Sequence, residues 1–219
     1  IAHDFNNILH VVVGNSELAL DSIPKDNPAY ENVQVIKESS LRGAGIVRQL
    51  LDFSRKHIQP SKPIDINPVV KESLRFLRSI IPASIGIHQD LPDESAIVSA
   101  NSVQINQVLV NIITNAFHAM EETGGTITVE AQKVLLGKND PERSEGVESG
   151  SYYKISIADT DHGIAPDILE NLFDPYFTTK EVGKGTGMGL AIVHGIVKRH
   201  QGHISVESQM GKGSTFTLY

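Results

Sequence analysis

The chain has no cysteine among its 219 residues. That excludes a disulfide framework, a thiolate metal site and a cysteine nucleophile, and leaves His, Asp, Asn and Lys as the groups able to carry chemistry. It also lacks any run approaching the roughly 20 apolar residues that a membrane-spanning helix needs, and no signal peptide opens it. Its 19 Lys and Arg against 26 Asp and Glu give a formal charge of −7. No long basic block breaks that balance, so nothing points to nucleic acid or to an anionic membrane surface. Protein and nucleotide partners are expected, on a soluble cytoplasmic piece whose only membrane attachment would come from segments outside it. The chain opens at Ile1 inside a helical pattern and without Met, so it reads as an excised part of a longer protein.

What is there divides in two. Over residues 1–58, apolar residues recur at helical spacing: Ile1, Phe5, Ile8, Val12, Ala19 and Ile23, then Val33, Ile36, Ala44, Val47, Leu51 and Ile58. The segment DSIPKDNP between the two stripes carries two prolines and reads as a turn. Two amphipathic helices so joined form an antiparallel hairpin with one uncovered apolar side, and pairing two hairpins into a four-helix bundle would cover it. A homodimer through residues 1–58 follows as an expectation. Residues 59–67, QPSKPIDIN, read as a flexible linker, after which 68–219 mixes helices with strands: α+β overall, with no internal repeat. Strands are expected in ASIGIHQD, SAIVSA, TITVEAQKVLL, YYKISIAD, HISVES and STFTLY, and helices near 69–80, 102–121 and 187–200. The stretch 137–150 reads as a hairpin loop.

Three segments of the second part hold candidate chemistry. On the helix at 102–121, Gln104, Gln107, Asn111, Asn115 and His118 line one side while Ile105, Val108, Ile112, Ala116 and Met120 line another. Asn111 and Asn115 lie one turn apart, so their carbonyl oxygens can converge on a hard cation such as Mg²⁺, which also takes water and phosphate oxygens. The plain alternative is a solvated polar face. KISIADTDHGIAP runs a strand into Asp159, where a carboxylate can accept the exocyclic amine of adenine or, equally, cap the helix beginning near Pro166. In LFDPYFTTKEVGKGTGMGLAIVHGIVKRH, Gly183, Gly185, Gly187 and Gly189 alternate before an amphipathic helix, where backbone N–H groups can meet phosphates. This is neither a Walker A loop nor a Rossmann fingerprint, since it lacks the Lys-Ser/Thr pair and follows no buried strand. Lys180 can point at a terminal phosphate, or be merely solvated.

Taken in order, these segments resemble the ATP-binding domain shared by histidine kinases and gyrase-type ATPases. NQVLVNIITNAFHAM is similar to the N box, DTDHGI to the G1 box, FDPYFTTK to the F box, GKGTGMGLAIV to the G2 box and GKGSTFTLY to the closing strand. IAHDFNNIL resembles the H box of the HDFNN subgroup, and the resemblance spans essentially the whole chain. It implies an α/β sandwich behind the helical hairpin and an ATP-dependent protein-histidine kinase of a two-component system, acting with Mg²⁺. It implies that Asn115 with Asn111 holds Mg²⁺, that Asp159 and Gly163 seat the adenine, and that Gly185, Thr186, Gly187, Gly189 and Leu190, with Lys180, border a lid over the phosphates. Thr215 would sit near the base. One position departs: family G1 boxes read Asp-x-Gly-x-Gly, and here the middle residue is Asp161, a type that tolerates left-handed backbone better than most.

The phosphoryl acceptor on this reading is His3, expected to face solvent beside Asp4, a nucleophile next to its base. Asn7, one turn later, resembles the amide that histidine kinases use to orient water against a phosphorylated response-regulator receiver domain; the plain alternative is a helix-surface amide. Hydrolytic relatives carry a Glu one turn before the Mg²⁺ Asn, and here that position is Asn111, an amide that cannot act as a general base. A gyrase- or chaperone-like ATPase is therefore disfavoured. A nucleotide-binding dimer module without catalysis is the second reading, and Asp161 is the feature that favours it.

Overall fold

The structure, a computed structural model, describes residues 2–37, 39–40, 61–137, 146–179 and 186–219, with the backbone alone over 2–10. It divides into two compact units, Ile1–Ile58 and Gln59–Tyr219.

In the first unit, helix α1 spans Ala2–Ser22. Pro24 cannot continue it, and Asn27 starts the next helix: its Oδ1 accepts the Ala29 N–H at 2.9 Å, and Pro28 stands first in the helix, where no N–H is needed. This second helix, α2, runs over 28–37 and 39–40. An ion pair joins the two, Lys37 Nζ to Glu17 Oε1 at 2.9 Å. Of the expected stripes Ile36 is exposed and Val12, Ala19, Ile23 and Val33 are half-buried, while Val11, Leu18 and Val35, outside those stripes, are also exposed. The rest of the expected second stripe, Ala44, Val47, Leu51 and Ile58, lies outside the described residues.

The second unit runs β1 (Lys62–Asp65), α3 (Ile66–Ile80), β2 (Ile85–Asp90), β3 (Ile97–Ala100), α4 (Ser102–Ala119), β4 (Gly125–Leu136), β5 (Gly150–Asp159), α5 (Pro166–Leu169), α6 (Gly189–Arg199), β6 (Ile204–Gln209) and β7 (Gly213–Leu218). Five strands form one sheet in the order β2-β4-β5-β7-β6, parallel between β2 and β4 and antiparallel elsewhere. Leu136 pairs with Gly150, so the expected hairpin connection lies between them, its residues 138–145 outside the description. Alternation sorts the sheet. On β5, Tyr153, Ile155, Ile157 and Asp159 are buried on one face, and on β7, Ser214, Phe216 and Leu218 are likewise buried. Val70, Leu74 and Leu77 of α3, Val108, Leu109, Ile112 and Ile113 of α4 and Val193 and Ile196 of α6 complete this core.

The linker expected at 59–67 is not one over most of its described length. Lys62–Asp65 pairs antiparallel with Ile97–Ala100 in a two-stranded sheet, and Ile66 and Asn67 open α3, both buried. Proline suggested a linker because it cannot donate to a ladder, yet Pro63 sits in a two-stranded ribbon, whose outer edges need no donor. Asp65 caps α3, accepting the Asn67 N–H at 3.3 Å and the Ala96 N–H at 3.1 Å; these bonds hold its carboxyl below the usual range. Asn67 donates from Nδ2 to the Pro92 and Glu94 carbonyls at 3.0 and 2.7 Å and accepts from the Tyr153 hydroxyl, which burial pushes up in pKa. Asn67→Ala takes a partner from the buried Tyr153 hydroxyl and from two part-buried carbonyls, and is expected to cost roughly 2–4 kcal/mol. In urea denaturation, Tyr153→Phe added to it should cost less than it does in wild type, because the two side chains share one bond.

Candidate functional site

Asp159 ends β5 on the core face, because it continues the inward phase of Ile155 and Ile157. It is 8% exposed. Its Oδ1 accepts the Ser214 N–H at 2.9 Å and the Asp161 N–H at 3.2 Å. Burial first and the neighbouring Asp161 charge second push its carboxyl up to about 6, against the lowering effect of the Ser214 N–H. Of the two roles open for Asp159, helix capping is the one the structure excludes: α5 starts after Ala165 with no side-chain cap.

The turn after Asp159 closes on Gly163. Its φ is +75°, and a side chain there would run into the Gln209 backbone. Gly163 N–H donates to Asp161 Oδ1 at 2.5 Å, and Gly211 N–H to the His162 carbonyl at 2.8 Å. Asp161 itself avoids the left-handed region: among the described residues the non-glycine positions there are Tyr176 and Gln201. The tolerance expected of Asp161 is therefore not called on; its carboxylate closes the turn instead.

Thr215, expected near the base, faces the other way. It lines a cavity of about 390 Å³ on the outer face of the sheet with Glu130, Lys154 and Glu207. Phe216 and Leu218 point inward, so the strand's period of two turns Thr215 outward and Ser214 inward. Ser214, 3% exposed, is the residue the sequence reading missed. The phase of STFTLY, with its aromatic and leucine inside, would have found it.

Asn101 caps α4, accepting from Val103 and Gln104 N–H groups at 3.0 and 3.2 Å. Along α4, Asn111 and Asn115 are half-buried beside the apolar stripe and so are not a freely solvated face. Asn111 Nδ2 donates to the Gly189 carbonyl at 3.3 Å, tying α4 to the first turn of α6. That bond leaves its Oδ1 free for a hard cation, and amide oxygens suit Mg²⁺. Among the described residues no group of three His, Asp or Glu forms a competing metal site.

α6 begins after Met188 with no side-chain cap, and Met188 N–H reaches back to Thr186 Oγ1 at 3.4 Å. Its first N–H groups are thus open to an anion. Gly187, at φ +64°, lies so close to the Tyr176 backbone that a side chain could not fit, and Tyr176 N–H donates to its carbonyl at 2.9 Å. Gly189 has room for a methyl, and Leu190 packs against the core. The structure therefore gathers Asp159, Gly163 and Ser214 at one point and Asn111 with Gly189 at another. Gly183, Gly185 and Lys180 lie outside the described residues; His3, Asp4 and Asn7 have their backbone in α1 and their side chains outside the description.

Residues 100–219 match the family described as histidine kinase-, DNA gyrase B-, and HSP90-like ATPase. The chain belongs to that family. Residues 1–57 match the His Kinase A (phospho-acceptor) domain. The sensor kinase CckA of Brucella abortus (strain 2308) is 36% identical over 219 residues, all of this chain and 23% of CckA. Full-length ShkA in complex with AMPPNP shares the fold at TM-score 0.71 and 23% identity, over 99% of this chain and 43% of ShkA. Histidine kinase ThkA in complex with the response regulator TrrA gives TM-score 0.66 at 21% identity, over 99% of this chain and 58% of that one. The chain thus spans about a quarter of CckA. No described helix is long and apolar enough to cross a membrane.

The raised Asp159 carboxyl sets a stability cost for this family member. A carboxyl whose folded pKa is about 6 against an ordinary 3.8 stabilises the fold fully below about pH 4, and that contribution is lost as pH rises through about 6. Asp159→Asn keeps an acceptor for both N–H groups and never ionises. It is expected to raise Tm by roughly 2–4 °C at pH 7.5, for about 1 kcal/mol after solvent screening, and by much less at pH 4. A scan at the two pH values checks the difference.

Proposed function

We propose that this chain is the core of an ATP-dependent protein-histidine kinase that autophosphorylates His3 and passes the phosphate to an Asp of a response-regulator receiver domain. The observation carrying this reading is Asn111. Its N–H is engaged by the Gly189 carbonyl, and an amide cannot accept the proton of an attacking water. A pocket with no base at that position suits transfer to a nucleophile brought by the phospho-acceptor hairpin.

In this reading Asp159 accepts from the adenine amine while Ser214 N–H and Asp161 N–H hold its other oxygen. Asn115 and Asn111 would hold Mg²⁺, which supplies neutralisation of phosphate charge when bound. The uncapped start of α6 and the Gly187 turn face the phosphates, with Thr186, Gly185 and Lys180 in the lid. His3 attacks the γ-phosphorus as the bond to ADP oxygen breaks, and Asp4 takes the imidazole proton. Asn7, four residues after His3 on α1, would orient water against the phosphorylated receiver, giving a phosphatase activity. Exposed Val11, Leu18, Val35 and Ile36 would be covered by a second copy through residues 1–58. Residues 59–219 would form the catalytic unit, its β1 and first α3 turn taking the place of a long linker. The complex of ThkA with TrrA supports the choice of partner. Asp161, which favours a module without catalysis, closes the turn and thereby weakens that alternative.

Incubation with Mg-ATP is expected to leave an acid-labile, alkali-stable phosphate that His3→Ala abolishes while nucleotide binding survives. Undiminished labelling of His3→Ala would sink the assignment. Asn115→Asp keeps the size and an oxygen but adds charge beside the triphosphate. Labelling rates measured against Mg²⁺ concentration should fall at least tenfold with a shifted curve, at near-wild-type Tm; an unshifted curve means that Asn115 is not the ligand.

A further inference from the structure

Family G1 boxes carry glycine where this chain carries Asp161, and the side chain gained there is not idle. Two successive carboxylates are pinned in one turn by backbone N–H groups: Asp159 Oδ1 by Ser214 and Asp161, and Asp161 Oδ1 by Gly163 at 2.5 Å. The glycine would leave Asp159 its Ser214 donor and a backbone N–H, but no second negative charge. The turn cannot swing the second carboxylate away, because Gly163 abuts the Gln209 backbone, Gly211 N–H bonds the His162 carbonyl, and Ile164 N–H bonds Ser208 Oγ at 2.7 Å.

We propose that Asp161 is a positioning residue that makes ATP binding proton-linked, by holding a second carboxylate against the one that accepts the adenine amine. The proposal rests on the nucleotide-site reading above.

The surroundings leave Asp161 as the governing charge. β4 sets Ile127 opposite Asp159 and β7 contributes Ser214. The end of α4 contributes Met120, which receives the Thr160 hydroxyl, with Glu121 and Glu122 following it; the β6–β7 turn carries Lys212, and the loop itself carries His162. His162 spends its Nδ1 on the Gly163 carbonyl at 2.7 Å. Of all these, Asp161 is the charge acting on the Asp159 carboxyl, with the same sign as burial, and no cation among the described residues opposes it. An amine donor needs the ionised acceptor, so binding adenine drives a proton off Asp159.

The measurement is the affinity of an unhydrolysable ATP analogue by calorimetry at pH 8, 7, 6 and 5, for the whole chain and for Asp161→Asn. Asn keeps the Gly163 N–H acceptor without the charge, so a purely structural role would leave the pH profile where it was. From a carboxyl near 6, wild-type affinity should fall about tenfold between pH 8 and 5, and Asp161→Asn, which keeps the burial but not the charge, should fall by less. Phosphate protonation on the analogue cancels in the comparison. At pH 6, runs in buffers of different ionisation enthalpy should show wild type releasing about half a proton and Asp161→Asn releasing less. Asp161→Gly, lacking both charge and acceptor, should follow the flatter profile. Superimposable pH profiles of wild type and Asp161→Asn, with binding intact at pH 8, overturn the proposal and leave the nucleotide site standing. No binding by wild type at any pH overturns both.

Discussion

A strand that must bury Tyr153, Ile155 and Ile157 against the helices also buries whatever stands two residues further on, and here that residue is Asp159. The rest of the site depends on this phase. A carboxylate carried into a core by strand alternation needs donors at once, and β7 supplies one because its own alternation puts Ser214 on the same side as Phe216 and Leu218. The loop supplies another through Asp161. The acceptor ends up desolvated, with one oxygen held by two backbone N–H groups. Its burial is costly for the empty fold; under the proposed function it would serve recognition, since a desolvated carboxylate discriminates strongly between a donor and an acceptor on an incoming base.

Much of this was legible in the residue pattern. Period-two runs located all five strands of the main sheet and the 3.6 period located α3, α4 and α6, because each carries one buried face. Asp159 and Gly163 stood out through their place between a strand and a turn. What failed to show were features decided by non-local partners. KPID resembles a linker until β3 is brought beside it, and Asn67 resembles a solvated amide until two carbonyls some twenty-five residues away and the Tyr153 hydroxyl close on it. Thr215 is a different case: it rested on the resemblance, while the phase of its strand, which is local information, turns Ser214 inward in its place.

The glycines around the second cluster are also unequal. Gly187 is fixed by a positive φ and by the Tyr176 backbone against it, whereas Gly189 meets only the edge of the Asn111 amide at 4.0 Å. Gly187 and Gly189 thus share a spelling without sharing a reason. Tyr176, exposed and held at φ +67° by its bond to Gly187, carries the local strain that makes this crossing a single defined arrangement.

The two faces of β7 also provide a route to observing the site without touching it. Thr217 lies on the outer face, in the cavity with Lys154 and Glu207, on the same strand as Ser214 but pointing the opposite way. Since the chain has no cysteine, Thr217→Cys would give it one thiol, and a fluorophore attached there would ride on the strand that grips Asp159 while leaving the helix-facing side clear. Events around Asp159, nucleotide binding among them if the proposed function holds, could then be followed optically, in a protein whose own sequence offers no tryptophan to report them.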